Sequence, residues 1–411
     1  MKSRLLPLLL MLIVLAELLT GCWDSREVEE LGIISGIAVD LTEDGRMRTV
    51  FQFVNTAVLS KGSSGRGLEF EKAYRNVAID ADNLFDAMKQ LSLQTTVRRF
   101  FAQTEILLVS ENFAQSRGMA ELIDYFLRDP QIRPNTWVVI TQDDVAELMD
   151  IGGRINPVPT YLLADLLKQH ALVSSYAPLR LGEFNRIMQS PSSHPFTACV
   201  EVAPNHALPA ENGHGINNGM VPEQPKLMAV TGTAVFRKDK MAGWLDQQQS
   251  RGLLWLRGEV KNGQIKFPIP GREDKTMSVE ILEARSKLEP RIENGQFVME
   301  VKIKVSSAVE QMTAYYPLDE SESLKELEEA QSQAVAAEIQ SALDKAQKQY
   351  QLDIFGFGEA VHRSHPEEWQ QIKDNWSDIF PGVQVRLEIH STIRHTNLTS
   401  SPPQIENEQS Y

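Results

Sequence analysis

Cysteine is scarce in this sequence, with only Cys22 and Cys199 among its 411 residues. If Cys22 is modified, Cys199 has no partner, and the chain holds no intramolecular disulfide. Its stability must then come from packing of a hydrophobic core. An apolar content of 42% is sufficient for such a core and excludes global disorder. A chain of this length has room for about two or three domains.

Positive charge is also in short supply, because 41 Lys and Arg stand against 55 Asp and Glu, a formal net charge of −14. This balance argues against nucleic acid as a partner. It also argues against adhesion to anionic lipid through a basic surface, which makes a lipid anchor the expected means of membrane attachment.

Motifs for catalysis or metal binding are missing as well, since the sequence has no GxSxG, HExxH or CxxC. Glu359, His362 and His365 could place metal ligands near one another, but no further ligand pattern accompanies them. Cys199 could be a nucleophile with His194, although a buried structural thiol is the favoured interpretation. We therefore expect no catalytic residue, no metal and no cofactor.

A short apolar run, Leu5 to Ala16, follows the positive charges of Lys2 and Arg4. It is too short to span a bilayer, which needs about 20 apolar residues. The run leads into Leu19-Thr-Gly-Cys22, the pattern of a bacterial lipobox, in which the cysteine thiol receives diacylglycerol and becomes the mature N-terminus. The sequence thus predicts a lipoprotein signal peptide over 1–21 and acylation of Cys22. An ordinary signal peptide cut nearby, with Cys22 incidental, is the alternative.

The first half of the mature chain alternates predicted strands with amphipathic helices. The strands are predicted over 31–40, 47–54, 104–109 and 137–141, and the helices over 82–93, 113–127 and 143–149. In the helix over 82–93, the apolar face is assigned to Leu84, Phe85, Met88 and Leu91. Such alternation predicts α/β crossovers over a sheet. Residues 155–187 are expected to be largely helical, with breaks at prolines.

Three other segments lack any helix or strand periodicity. Residues 60–67 contain three glycines, as a phosphate-binding loop would, but no GK[ST] follows them. Residues 203–226 are crowded with Pro, Gly and Asn and are predicted to be a flexible loop or linker. They include His206 and His214, which a mobile loop would support poorly as ligands. The last residues, 398–411, are predicted to be a disordered tail.

The second half has a different pattern. Apolar and polar residues alternate over 297–305 and over 383–389, which predicts half-solvated strands. The turn Glu293-Asn-Gly295 enters the first of them. A long helix is predicted from about 319 to 350. Its buried stripe consists of Val335, Ile339, Ala342, Leu343, Ala346 and Tyr350.

The most distinctive stretch runs from Asp353 to Leu398. Ser364 and Glu367 have the spacing of a helix capping box. Trp369 and Trp376 follow with aliphatic residues at helical spacing, which is more typical of a core helix than of a carbohydrate or membrane contact. In Phe355-Gly-Phe-Gly358, the two glycines predict a tight turn or close backbone packing, anchored by the phenylalanines.

Several of these motifs together resemble the Ger(x)C family, the lipoprotein C subunits of nutrient germinant receptors in endospore-forming bacteria. The resemblance rests on Cys22-Trp23-Asp24, Phe355–Gly358, Trp369 with Trp376, Ile393-Arg394, Arg98–Phe101 and Phe126–Pro130. It covers nearly the whole mature chain. The departures are the long loop at 203–226 and His395-Thr-Asn397, where Arg-Thr-Gly is commoner in the family.

The resemblance implies an α+β, multidomain fold in which helices flank mixed sheets, with three α/β-type domains of unusual topology. The expected division is 22–202, with a subdomain boundary near 150, and 227–397. The resemblance further implies anchoring on the outer face of the spore's inner membrane, through Cys22, and assembly with an A-type and a B-type subunit. It supplies no catalytic residue.

Two other classes of protein remain open at the level of sequence. An extracytoplasmic solute-binding lipoprotein would need two similar α/β lobes, and the two halves of this chain differ in pattern. An envelope hydrolase would need a catalytic site, for which no motif is present. The expected function is a non-enzymatic receptor subunit, with the solute-binding lipoprotein as the alternative.

Overall fold

A computed structural model describes residues 31–61, 72–153, 155–203 and 226–394. In these ranges the strands form two mixed sheets, one of ten strands and one of four, with helices packed against both. This confirms the predicted α+β class with helices flanking mixed sheets. The predicted signal peptide, Cys22, most of the loop at 60–67, most of the loop at 203–226 and the C-terminal tail lie outside the described residues.

The ten-stranded sheet is built from the first 245 residues of the chain. Its strands are β1 (Leu31–Leu41), β2 (Met47–Val54), β3 (Tyr74–Ala81), β4 (Arg98–Phe100), β5 (Ile106–Ser110), β6 (Trp137–Thr141), β7 (Leu179–Arg180), β8 (Phe196–Ala203), β9 (Leu227–Arg237) and β10 (Lys240–Leu245). The main order is β10-β9-β8-β6-β5-β1-β2-β3, with β4 beside β1 and β7 beside β6. The pairs β1–β5, β5–β6 and β6–β8 are parallel. All four strands predicted in this half are confirmed.

Helices cover both faces of this sheet, as a parallel centre requires. They are α1 (Thr56–Lys61), α2 (Leu84–Gln94), α3 (Glu111–Ser116), α4 (Ala120–Arg128), α5 (Val145–Leu148), α6 (Pro159–Lys168), α7 (His170–Val173) and α8 (Leu181–Met188). Successive residues of the central strands point to opposite faces. Leu107 and Val109 join one core with α2, α3, α4 and α8, whereas Ile106 and Leu108 join a second core with α5 and α6.

Two details of these helices differ from the predictions. Phe85 is 66% exposed, because the buried stripe of α2 consists of Leu84, Ala87, Met88 and Leu91. The single helix predicted over 113–127 is divided into α3 and α4 at Gly118, whose φ is +85°. The turn between β9 and β10 docks at this break, where the Met119 N–H donates to the Asp239 carbonyl at 2.9 Å. Gly118 therefore ends α3 locally, as a glycine in the left-handed region does, and the β9–β10 turn packs on this break.

The four-stranded sheet follows, in the order β11-β12-β13-β14. Its strands are β11 (Gln264–Ile269), β12 (Arg272–Glu293), β13 (Gln296–Met312) and β14 (Gln384–Arg394). The predicted turn joins β12 to β13 through Asn294 and Gly295, at φ +50° and +78°, as a tight hairpin requires. The alternating strands over 297–305 and 383–389 are confirmed within β13 and β14, which are parallel.

Helices cover one face of the small sheet. They are α9 (Gln247–Arg257), α10 (Ser321–Leu343), α11 (Phe357–Ser364), α12 (Pro366–Ile372) and α13 (Trp376–Ile379). A π-helical segment, Asp344–Tyr350, extends α10 and confirms the long predicted helix. Its predicted buried stripe is confirmed, with Tyr350 half-buried. One continuous apolar core runs from the α2 face of the large sheet to the inner face of the small one.

The predicted loop at 203–226 does not separate the two sheets. Strand β8 ends at residue 203 and β9 begins at residue 227, and the two strands are antiparallel neighbours in the large sheet. Residues 227–245 therefore pair with the first half of the chain. The division into domains stays a prediction, and a boundary at this loop would cut through the sheet.

Candidate functional site

The most distinctive sequence motif forms the point at which the two halves of the described chain meet. The Asp353 side chain is 2% exposed, and its carboxylate accepts five N–H groups. Oδ1 accepts from the backbone N–H groups of Phe355, Gly356 and Phe357 at 2.9–3.2 Å. Oδ2 accepts from the Gly358 backbone N–H at 2.8 Å and from Trp376 Nε1 at 2.9 Å. We call Asp353, Phe355–Gly358 and Trp376 the Asp353 turn.

The local sequence explains this arrangement. Helix α11 begins at Phe357, and the first N–H groups of a helix have no acceptor within it, so a carboxylate there satisfies them. Gly356 has φ +83°, which favours glycine. A Cβ on Gly358 would lie 2.4 Å from the Ser192 Cβ and 2.8 Å from Trp376 Nε1. Both roles predicted for the glycines, a tight turn and close packing, are confirmed.

Charge at Asp353 is governed by two opposed effects. Burial raises the pKa of its carboxyl group, and the N–H donors around it act in the opposite direction. A protonated carboxyl group would place its own O–H against N–H donors only. The surroundings of Asp353 are thus those of a structural acceptor.

The two tryptophans lie in the core beneath this turn, as predicted. Trp369 and Trp376 are 2% and 1% exposed, respectively. Their rings pack edge to face with centroids 5.6 Å apart. The Phe297 ring packs edge to face on Trp376, with the two ring centroids 6.4 Å apart. These contacts favour packing over a carbohydrate or membrane contact. The predicted capping box is wrong, because Ser364 is the last residue of α11 and no side chain caps α12.

Hydrogen bonds connect the Asp353 turn to the large sheet. The His194 backbone N–H donates to the Asp353 carbonyl at 2.9 Å, and His194 Nδ1 accepts from the Lys238 backbone N–H at 3.2 Å. Nearby, the Tyr350 hydroxyl donates to the Trp244 carbonyl and accepts from the Trp244 backbone N–H, each at 2.9 Å. One backbone hydrogen bond and the Tyr350 hydroxyl therefore join the two sheets at this junction, and the His194 side chain holds the β9–β10 turn beside it.

Sequence reasoning places Tyr350 on a buried helix stripe, but it does not identify the hydrogen bonds of Tyr350 and His194 or the acceptor role of Asp353. Asp353 had a usable signal, since an Asp placed shortly before a helix start is a typical acceptor for its free N–H groups. The other two had none, because their partners lie 44 and 106 residues away.

Buried His194 leads to a pH-dependent prediction. Burial, with help from Lys238 and Arg237, lowers the pKa of His194 from 6.5 to about 3. The folded protein keeps the imidazole neutral, whereas the unfolded chain protonates it below pH 6.5. The contribution of neutral His194 to the free energy of unfolding is thus fully present above pH 6.5. It is lost as the pH falls from 6.5 toward 3, by up to about 1.4 kcal/mol per pH unit.

The measurement is urea unfolding of the wild type and of His194→Asn, which keeps an acceptor for Lys238, at pH 7, 6 and 5. The difference in unfolding free energy between the two proteins should shrink with falling pH, by about half that slope from pH 7 to 6 and by nearly the full slope from pH 6 to 5. A difference that stays constant from pH 7 to 5 would show that His194 does not titrate in this way.

The candidate nucleophile and metal ligands are engaged in other contacts. Cys199 is buried, which raises the pKa of its thiol to about 12 and leaves it protonated near neutral pH. His362 stacks on Trp369 at 5.7 Å, and His365 Nε2 lies 3.1 Å from the Pro290 carbonyl oxygen. Glu359 accepts from the Ser193 hydroxyl at 3.2 Å. Within the described ranges, no group of three or more His, Cys, Asp or Glu is arranged to hold a metal. His206 and His214 lie outside them.

The surface grooves also differ from a small-molecule site. One groove, of about 680 Å³, lies on the small sheet, and its lining includes five charged side chains, Glu283, Arg285, Lys302, Lys304 and Glu388, together with His390. Ligand pockets are usually concave and mostly apolar with a few polar groups. The two sheets, of ten and four strands, also lack the similarity that a two-lobed solute-binding protein would need.

Among the described residues, no helix has both the length and the apolar character needed to cross a bilayer.

Comparisons with known proteins agree along the length of the chain. The sequence model described as "Spore germination protein N-terminal domain" matches residues 24–202, and "Spore germination B3/ GerAC like, C-terminal" matches residues 231–397. The chain is 25% identical to spore germination protein KC of Bacillus subtilis (strain 168) over 407 residues, 98% of each chain. It is 26% identical to spore germination protein YndF of the same organism, over 96% of this chain and 98% of that one.

A solved structure supports the fold. The crystal structure of the GerBC protein superposes with a TM-score of 0.55, covering 87% of this chain and 96% of that chain at 17% identity. At this identity the likeness concerns the fold alone. Both sheets lie between residues 24 and 397, the first and last residues that the two family models match.

Proposed function

The chain belongs to the Ger(x)C family of GerAC-like spore germination proteins, and we propose that it is the non-enzymatic lipoprotein C subunit of a nutrient germinant receptor. The observation that carries the proposal is the similarity over 98% of both chains to a spore germination protein. A match of this extent includes the N-terminal lipobox region, both sheets and the Asp353 turn.

Membrane attachment is the second part of the proposal. The Leu19-Thr-Gly-Cys22 sequence is proposed to direct acylation of Cys22 and to hold the protein on the outer face of the cell membrane, which becomes the spore's inner membrane. A diacylglycerol group plus an N-acyl chain meets the requirement for more than one acyl chain in stable anchoring.

The proposed partners are an A-type subunit and a polytopic B-type subunit. The architecture suits an assembly role, because the backbone bond from His194 to Asp353 and the hydroxyl bonds of Tyr350 join the two sheets. A body held in this way can transmit a change at one surface to another as coupling free energy. The acyl anchor would raise its effective concentration beside membrane partners.

Co-isolation tests this proposal. The protein, tagged at its C-terminus and extracted from spore membranes with a mild detergent, is expected to bring down one A-type and one B-type subunit identified by mass spectrometry. Deletion of its gene should abolish germination with at least one nutrient, and the wild-type gene should restore it. The control is a C-terminally tagged lipoprotein unrelated to germination.

The proposal fails if neither subunit type is enriched over this control and the deletion leaves all nutrient responses unchanged. Recovery of a free solute with the purified protein would instead favour the solute-binding lipoprotein.

A further inference from the structure

Helix α2 carries large apolar side chains on its exposed side. Phe85 is 66% exposed and Leu93, eight residues later, is 83% exposed. Val97, just before β4, is 37% exposed. Single exposed apolar residues are ordinary, but several along one helix and its following loop indicate an interaction surface. We call Phe85, Lys89, Leu93, Val97 and Arg98 the α2 surface.

Basic residues accompany these apolar ones. A groove of about 570 Å³ runs along α2, and its lining includes Phe85 and Val97 together with Lys89, Arg98, Arg99 and one acid, Asp129. Three bases against one acid make the groove locally positive in a chain of net charge −14. Another groove is lined by Leu93 and Lys89 together with Arg46 and three acids, namely Asp80, Asp82 and Asp86. The positive part of the α2 surface is therefore the part formed by Phe85, Val97 and Arg98.

The chain leaves the described fold beside this surface. The first residue of β1, Leu31, is paired in parallel with Arg98, and Gly32 is paired with Arg99. Val97 packs over Gly32 so closely that a Cβ there would lie 2.6 Å from a Val97 methyl group. The segment that leads back toward Cys22 therefore starts at the Val97–Arg98 end of the α2 surface.

The length of that segment limits how far the surface can be from the membrane. Leu31 follows Cys22 by nine residues. Since a fully extended chain advances at most about 3.3–3.6 Å per residue, Leu31 lies within about 30 Å of an acyl-modified Cys22. A distance of this size or less allows Leu31 and its neighbour Arg98 to contact the lipid headgroups.

We propose that the α2 surface lies on the anionic lipid headgroups of the membrane that holds Cys22. Phe85, Leu93 and Val97 enter the headgroup–acyl boundary, and Lys89 and Arg98 lie next to lipid phosphates. Apolar residues combined with Lys or Arg are the composition that interfacial helices use on anionic bilayers. The inference rests on the proposed function only in taking the acyl anchor at Cys22 from it.

This surface also qualifies the expectation drawn from net charge. The net charge of −14 by itself argues against adhesion to anionic lipid through a basic surface. Screening at physiological ionic strength confines each charge to about 8 Å, so a local group of bases acts on headgroups largely independently of distant acids.

The first test uses the acylated full-length protein on vesicles of equal parts phosphatidylglycerol and phosphatidylcholine. A nitrobenzoxadiazole dye is attached at Leu93→Cys or, as the matched control, at Leu282→Cys on β12, where the leucine is 46% exposed. Acylated Cys22 and buried Cys199 do not compete for the dye. At position 93 we expect a blue-shifted emission that a spin-labelled lipid quenches, and at position 282 neither change.

Flotation of the vesicles measures anchoring separately. If the protein floats but the dye at position 93 stays in water, the proposed membrane contact of the α2 surface is overturned. The proposed acyl anchor at Cys22 is then still supported. If the dye is shielded only after A-type and B-type subunits are added, the surface is a protein interface and the proposal is likewise overturned. Protein that does not float contradicts the anchor itself, and the second test then decides the surface alone.

The second test removes the anchor. The mature chain with Cys22→Ser is expected to sediment with the same anionic vesicles more than with phosphatidylcholine alone. Lys89→Glu combined with Arg98→Glu should weaken this partitioning about 30-fold or more, since each basic residue near such a surface contributes about five-fold. The control, Lys266→Glu with Lys304→Glu, makes the same change of charge at exposed positions on the small sheet. Equal losses in the two variants would overturn the proposal.

Discussion

Replacing Asp353 with alanine is expected to unfold the small sheet and its helices under conditions in which the wild type is fully folded. The substitution leaves five N–H groups without their acceptor, four from the backbone of residues 355–358 and one from Trp376. Each unsatisfied buried donor costs about 1–3 kcal/mol. A total loss of about 5 kcal/mol or more is comparable with the whole stability of a typical domain, about 5–15 kcal/mol.

Urea unfolding followed by tryptophan fluorescence measures this loss, since Trp369 and Trp376 lie beneath the turn. The matched control is Trp376→Phe, which keeps an aromatic ring next to Phe297 and removes only one of the five donors. We expect it to lose markedly less stability than Asp353→Ala. An Asp353→Ala protein with the wild-type unfolding midpoint would mean that water or a rearranged turn satisfies these N–H groups.

The second large effect is expected at Cys22. Cys22→Ala removes the thiol that the lipobox presents for acylation, so incorporation of labelled fatty acid should fall to background. The protein should then either keep its signal peptide or be released from the membrane, because each buried methylene of an acyl chain contributes about 0.8 kcal/mol to anchoring.

The chain offers its own control for this experiment, because it contains just one other cysteine. Cys199→Ala changes a buried thiol in β8 and should leave lipid labelling unchanged. Unchanged labelling in Cys22→Ala would refute the lipobox interpretation, and equal losses in both variants would indicate a general defect of export or folding.

Much of the architecture could be predicted from local patterns. The strand over 31–40, with its turn and the returning strand over 47–54, follows from apolar composition and a Gly at positive φ. The long helix from 321 to 350 follows from its apolar stripe. The Asn294-Gly295 hairpin follows from turn chemistry.

Other features could not be predicted in this way, because distant residues decide them. The docking of the β9–β10 turn on the break between α3 and α4 depends on Asp239, more than 100 residues from Met119 in sequence. Strand β12 was missed because it carries many charged residues, which the open outer face of the small sheet accepts. The Ser364–Glu367 capping box failed because α11 already includes Ser364.

The sequence by itself indicated the family, the proposed lipid anchor, six of the fourteen described strands and most of the described helices. These features depend on short motifs and on periodicity, whose physical causes act within a few residues. The tertiary structure alone decided that residues 227–245 join the first sheet, that Asp353 collects five N–H donors, and that the α2 surface lies where the chain enters β1. Strand pairing and burial decide these features. Both depend on which segments, distant in sequence, pack together and exclude water.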